Sequence, residues 1–287
     1  MLNPPLFLVA GLAVAYAAAG RRPLRVEAGA NARLLRERRR RALAFYAGLA
    51  SILVAVEPPM DGWADRYFSL HMIQHMLLIS VAAPLLVIGA PWLAPWRLLP
   101  GRTRRAAARG VVHAAWSRSA RRVAHLLTAP ATVLVLFVAD LWVWHLPAVY
   151  DLALAHQPIH DLEHLLFLLT SVLLWAQVLD SPPFRARIEN GFKRAGYLTL
   201  AMLGMWSLAV FLAYAPGSLY PFYASLHGRG GISELLDQKL AAGVMWGPGS
   251  VSFAIADFVE LYRWLGQEER PLRGRRGSAA PRPRVVT

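Results

Sequence analysis

Residues 67–92 read YFSLHMIQHMLLISVAAPLLVIGAPW, a run of 26 residues without a single Asp, Glu, Lys or Arg. An α-helix rises about 1.5 Å per residue, so about 20 apolar residues cross the roughly 30 Å hydrocarbon core of a bilayer. The run is long enough for this, and it predicts a membrane-spanning helix that carries two histidines near its start.

Six further apolar blocks accompany this run, and together they account for a chain that is 56% hydrophobic with a mean hydropathy of +0.37. The seven predicted spans are 4–20, 42–59, 67–92, 127–148, 159–179, 195–215 and 239–264. The sequence therefore predicts an all-α integral membrane protein, with a seven-transmembrane helix bundle as one domain over residues 1–265. Residues 266–287 are rich in Arg, Pro and Gly, and we expect a basic, disordered cytoplasmic tail.

The basic residues decide the predicted orientation. Of the 31 Lys and Arg residues, all but Arg66, Arg229 and Lys239 lie in alternate connections and the tail. Cytoplasmic loops carry such an excess of positive charge, so the N-terminus is predicted outside and the C-terminus in the cytoplasm. The first block has no basic residue before it and GRRPLR after it, the reverse of a signal peptide, which favours a retained helix.

The net charge of +14 has the same explanation. The arginines are divided among loops that border apolar spans, which argues against nucleic acid as a partner and favours anionic membrane lipids. The chain has no cysteine, so disulfides, CxxC redox chemistry and thiolate metal sites are excluded.

Histidines are concentrated at the predicted outer ends of the spans. His71 and His75 open the third span, and His160 and His164 open the fifth. Residues four apart lie on one face of a helix, so each pair is predicted to face one direction. With His145 at the outer end of the fourth span, the two pairs are predicted to converge on one metal site. Histidines elsewhere, His113, His125, His156 and His227, are not assigned to it.

Other polar or sulfur-bearing side chains are possible additions to this site. Met72 and Met76 follow the first two histidines, Glu163 lies beside the second pair, and Met245 lies within the seventh span. Asp140 is either a supporting partner of a metal-bound histidine or a helix–helix hydrogen-bonding group. Further polar residues on the outer side are Glu57, Asp61, Asp65, Asp237 and Gln238.

These residue types leave three cofactors open. Imidazole with thioether favours copper, whereas imidazole with a carboxylate from Glu163, Asp61 or Asp140 suits zinc with an open position for water. One haem b held between a histidine of the third span and one of the fifth is the third alternative. The absence of CxxCH excludes covalent haem attachment of the c type.

Four stretches resemble a known family: HMIQHMLLISVAAPLLVIGAP (71–91), WHLPAVYDLAL (144–154), HDLEHLLFLLTSVLLW (160–175) and DQKLAAGVMW (237–246). Together they are similar to the CtaG family of integral membrane cytochrome c oxidase assembly factors, over roughly residues 40–265. An unrelated single-span copper chaperone that depends on cysteine shares the name CtaG, and the cysteine-free pattern does not fit it.

The resemblance implies a non-enzymatic role in maturing a haem–copper oxidase, by delivery of copper to an oxidase subunit. Its matching positions are His71, His75, His145, His160 and His164. The sequence thus leads to the hypothesis of a multi-pass protein of a bacterial plasma membrane that binds copper at its outer face. The alternatives are an intramembrane zinc hydrolase, with Glu163 or Asp140 as general base, and a b-type haem protein.

Overall fold

The computed structural model describes residues 4–20, 31–92, 98–113, 117–182, 185–225 and 231–278, and within these ranges the chain is helical and contains no β-strand. The first half comprises α1 (Pro4–Gly20), α2 (Asn31–Val56), α3 (Met60–Ala64), α4 (Phe68–Gly89), α5 (Gly101–His113) and α6 (Ser117–Leu127). The second half comprises α7 (Pro130–Trp144), α8 (Pro147–Ala155), α9 (Gln157–Val178), α10 (Gly191–Tyr214), α11 (Pro221–Ala224), α12 (Glu234–Trp246) and α13 (Val251–Ser278). The all-α prediction is confirmed.

Three described helices, α4, α9 and α10, are long and apolar enough to cross a membrane. A fourth span results if α6 and α7, which meet at an angle of 60°, are counted together. Large apolar side chains such as Leu8, Val135 and Phe258 are exposed, as expected of a surface that faces lipid rather than water. The seven-span count and the orientation of the termini stay predictions.

The predicted seventh span is not one continuous helix. α12 ends at Trp246, a short 3₁₀ turn follows at Pro248–Ser250, and α13 begins at Val251. Pro248 lacks the N–H that a continuing helix needs, and a side chain in place of Gly249 would overlap the sulfur of Met76 on α4. The Gly-Pro-Gly sequence at 247–249 therefore interrupts the apolar block that the hydropathy pattern treats as a single span.

α13 ends within the segment predicted as a tail. The helix continues beyond the predicted span to Ser278, whereas residues 279–287 lie outside the described part of the chain. The predicted division of the chain at residue 265 stays a prediction.

α4 lies at the centre of the fold and packs against α2, α9 and α12. Its middle, Leu77–Ala82, is a π-helical turn, a form that is frequent at functional sites because it loosens the regular backbone ladder. Carbonyls of this turn accept hydrogen bonds from side chains of neighbouring helices: Ser51 bonds to Leu77 at 3.1 Å and Trp175 to Ile79 at 3.1 Å. These bonds fix the rotation of α4 just after its two histidines.

Candidate metal centre

The first histidine pair lies on the buried face at the start of α4. His71 and His75 are both 0% exposed, with ring centroids 4.5 Å apart. The start of α4 is held by α12, because the carboxylate of Asp237 accepts hydrogen bonds from the backbone N–H of Phe68 at 2.7 Å and of Ser69 at 3.0 Å. This carboxylate satisfies N–H groups that the helix cannot pair itself, and it fixes the helix three residues before His71.

The second pair, on α9, meets the first. The ring of His160 lies 5.0 Å from that of His71, the ring of His164 lies 5.2 Å from that of His75, and His160 and His164 are 4.2 Å apart, measured between centroids. Glu163, also fully buried, joins them with Oε1 at 3.5 Å from Nε2 of His75. The structure therefore brings the two sequence-predicted pairs into one cluster, which we call the histidine cluster: His71, His75, His160, Glu163 and His164.

Several polar atoms of the histidine cluster are buried without a hydrogen-bond partner. They are Nε2 of His71, both ring nitrogens of His75, Nε2 of His160 and His164, and both carboxylate oxygens of Glu163. Two subsets have donor atoms within 4.8 Å of one another: His71, His75 and His164; and His71, His160 and Glu163. Buried polar atoms are costly when unpaired, and a bound cation would satisfy these lone pairs together. The residues therefore fit a metal ion.

His145 lies beside the histidine cluster at the end of α7. Its ring centroid is 5.9 Å from that of His75, and its Nδ1 lies 2.7 Å from the carbonyl of Leu141. Its Nε2 lies 3.2 Å from Sδ of Met72, and both side chains are almost fully buried. Met72, one of the methionines that the sequence offers, is thus placed against a candidate ligand.

The remaining sequence candidates lie in other contacts. Asp140 accepts a hydrogen bond from Thr170 of α9 at 2.8 Å. This bond joins two helices, which is one of the two roles predicted for Asp140. Met76 packs against Gly249, and Met245 lies in the apolar core. His125 and His156 are exposed. The His113 side chain and all of His227 lie outside the described part of the structure.

A group of buried tyrosines next to His71 is a feature that the sequence analysis missed. The hydroxyl of Tyr223 donates to the carbonyl of Ala64 at 3.0 Å and lies 3.0 Å from the hydroxyl of Tyr150 and 3.5 Å from Nδ1 of His71. Tyr220 donates to the carbonyl of His145 at 3.1 Å. In a sequence, such tyrosines near span ends are indistinguishable from the aromatic belt of any membrane protein.

A cavity of about 740 Å³ gives access to the histidine cluster from one side. Apolar side chains of α1, α2, α4 and α9 line most of it, and His160 and His164 lie at its polar end with Asp61, Gln157 and Asp161. Partial burial and the charge of Asp61 raise the pKa of Asp65 above its usual value. The carboxylates of Asp61 and Asp161 nevertheless give the accessible side of the cluster its negative charge.

The family is settled by comparison with known proteins. The family model described as "Cytochrome c oxidase caa3 assembly factor" matches residues 14–267, nearly the whole chain. The chain belongs to this family, Caa3_CtaG. The resemblance predicted from the four sequence stretches is thereby confirmed, and the match extends further towards the N-terminus than those stretches. α4, α9 and the histidine cluster all lie within the residues that Caa3_CtaG covers.

Two uncharacterised proteins, one of Mycobacterium bovis and one of Mycobacterium tuberculosis, are each 25% identical to this member of Caa3_CtaG over 233 residues. The alignment covers 80% of this chain and 35% of each relative, so the chain spans about a third of the length of these proteins. No solved structure matches the chain.

Proposed function

We propose that the protein is a non-enzymatic assembly factor that binds copper in the histidine cluster and delivers it to a subunit of a haem–copper cytochrome c oxidase. The observation that carries this proposal is the set of five ionisable side chains, four imidazoles and one carboxylate, buried together with orphaned ligand atoms. A membrane protein keeps such costly groups in its interior where they have a function.

Copper is the ion that suits both the ligands and the family. Imidazole is a good ligand for copper, and thioether favours Cu(I) in particular. The cluster contains no thiolate, since the chain lacks cysteine. Ligation by histidine and methionine holds copper less tightly than a closed thiolate cage, which suits an ion that must be passed on. The family description names a cytochrome c oxidase, and copper is one of the metals that a haem–copper oxidase contains.

The proposed setting is the outer face of a bacterial plasma membrane. The two histidine pairs open the third and fifth predicted spans, which places the cluster near the outer surface in the N-outside, C-cytoplasmic arrangement. His145 and Met72 adjoin the cluster and would complete or relay the ion. The arginine-rich connections on the opposite side would contact anionic lipids.

Metal analysis of the detergent-purified protein tests the proposal. We expect copper in the wild type and a loss of most of it in the double variant His71→Ala/His75→Ala. His125→Ala removes an exposed histidine far from the cluster and should keep the copper. Equal copper in the wild type and the double variant, or a wild type that cannot bind copper, would refute the proposal. Cells that lack the protein should also lose terminal-oxidase activity, and the copper sites of their oxidase should be less occupied.

Zinc hydrolysis is a second candidate because His71, His75 and His164 have donor atoms within 4.8 Å of one another and Glu163 lies 3.5 Å from His75. Three histidine ligands leave a position for a zinc-bound water, and Glu163 or Asp140 would act as its general base. This function predicts stoichiometric zinc through purification and a lipid-hydrolase activity that Glu163→Ala abolishes. A haem is less well supported, since the ring centroid of His71 lies only 4.5–5.8 Å from those of His75, His160 and His164, a spacing that favours a single ion.

A further inference from the structure

His145 and Met72 present two lone pairs to each other. Nδ1 of His145 lies 2.7 Å from the carbonyl oxygen of Leu141, and a carbonyl oxygen only accepts hydrogen bonds. The proton of the neutral ring is therefore on Nδ1, where it is donated to Leu141, and Nε2 carries a lone pair. The thioether sulfur of Met72, 3.2 Å away, is also an acceptor and has no hydrogen to donate.

This contact is unfavourable without a third partner. His145 is 2% exposed and Met72 is 0% exposed, so water has little access to either group. A doubly protonated ring would donate to the sulfur, but it would bury a positive charge against a weak acceptor, which is costly. A cation between nitrogen and sulfur satisfies both lone pairs at once.

We propose that His145 Nε2 and Met72 Sδ form a second metal site, specific for Cu(I), beside the histidine cluster. This inference rests on the proposed copper function. It assigns the oxidation state of the copper ion and the site to which the ion moves from the histidine cluster. A soft thioether selects Cu(I) over zinc and over harder ions. A d¹⁰ ion such as zinc lies about 2.0 Å from an imidazole nitrogen and about 2.3 Å from a thiolate sulfur, and we assume a bond of similar length to thioether sulfur. Such bonds can span the 3.2 Å between the two atoms of this pair.

The position of the site suits transfer of the ion. The ring of His145 lies 5.9 Å from that of His75, which itself belongs to the histidine cluster. The cavity reaches the opposite side of that cluster, at His160 and His164. Copper that enters from the cavity therefore passes through the four-histidine region before it reaches the pair of His145 and Met72.

The test uses the full-length purified protein and cuprous ion alone, added under anaerobic and reducing conditions. We expect the wild type to show sulfur scattering in the copper X-ray absorption spectrum. Met72→Leu, which conserves side-chain volume, should lose this signal and one equivalent of Cu(I), while its binding of Zn²⁺ stays unchanged. Met76→Leu is the matched control, since Met76 lies on the same helix but packs against Gly249; it should keep the sulfur signal.

The outcomes separate this inference from the function on which it rests. Copper bound with nitrogen and oxygen neighbours alone in the wild type would overturn the second site and leave the copper function standing. Sulfur scattering that survives in Met72→Leu would also overturn it. A wild type that binds no Cu(I) but does bind Cu(II) would likewise overturn the second site alone, and a wild type that binds neither ion would overturn both.

Discussion

Nε2 of His75 lies 3.5 Å from Oε1 of Glu163, and neither side chain is exposed to solvent. No hydrogen bond forms between them, and both carboxylate oxygens remain unpartnered. The pair joins the two halves of the histidine cluster, since His75 is on α4 and Glu163 on α9. A carboxylate in this position offsets the charge of a bound cation, whether or not it becomes a ligand.

Glu163→Gln keeps the size of the side chain but removes its charge, so we expect weaker metal binding. Supporting groups around a metal typically change affinity by about 10–100-fold. A tenfold loss lowers the stabilisation by saturating metal by about 1.4 kcal/mol, which appears as a smaller rise in Tm. Glu189→Gln is the control, because Glu189 is exposed and lies in the connection that follows α9. Equal affinities in Glu163→Gln and the wild type would contradict the assignment.

Asp237→Ala should destabilise the start of α4. The change removes the acceptor for the backbone N–H groups of Phe68 and Ser69, and each buried unsatisfied group costs about 1–3 kcal/mol. Because His71 lies in the same turn, metal affinity should fall as well. Thermal unfolding in detergent and metal titration measure the two effects. Lys239→Ala, an exposed position two residues away, is the comparison, and equal behaviour of the two variants would contradict the role of Asp237.

The pairing of histidines was predictable because it depends on local geometry alone. His71 and His75, like His160 and His164, are four residues apart, and any α-helix places such residues on one face. The tertiary structure, by contrast, decides that these faces of α4 and α9 point towards each other. It depends on contacts from distant parts of the chain, such as the bond from Trp175 to Ile79 that fixes the rotation of α4.

Single residues were harder to assign for the same reason. Met72 and Met76 have the same local sequence context, each directly after a histidine, yet one sulfur meets His145 and the other meets Gly249. The π-helical turn at Leu77–Ala82 has no sequence pattern of its own. The break at Gly247–Ser250 did have a signal, the Gly-Pro-Gly sequence, which average hydropathy over a long window conceals.

The acidic side of the cavity should speed the capture of copper. Asp61 and Asp161 line the cavity beside His160, and negative charge at a cleft raises the association rate of a cation. Asp61→Asn/Asp161→Asn should slow copper uptake by about tenfold or more at low salt, with a smaller effect on the final amount bound. The difference should shrink in about 1 M salt, where charges are screened beyond about 3 Å.

Stopped-flow measurement of copper uptake, against Glu189→Gln, checks this prediction. Glu189 is exposed and lies in a different connection, so its loss removes one negative charge away from the cavity, where the double variant removes two beside it. If both variants took up copper at the wild-type rate, the cavity would not be the route by which the ion reaches the cluster.

The predicted orientation can be tested directly because the chain contains no cysteine. Glu189 follows the fifth predicted span and Ser218 follows the sixth, so the two residues are predicted on opposite sides of the membrane. Both are exposed. In intact cells, a membrane-impermeant maleimide should label Ser218→Cys, and it should label Glu189→Cys only after the membrane is opened. Labelling of Glu189→Cys alone in intact cells would reverse the orientation. It would also place the histidine cluster on the cytoplasmic side and so contradict the proposed binding of copper at the outer face.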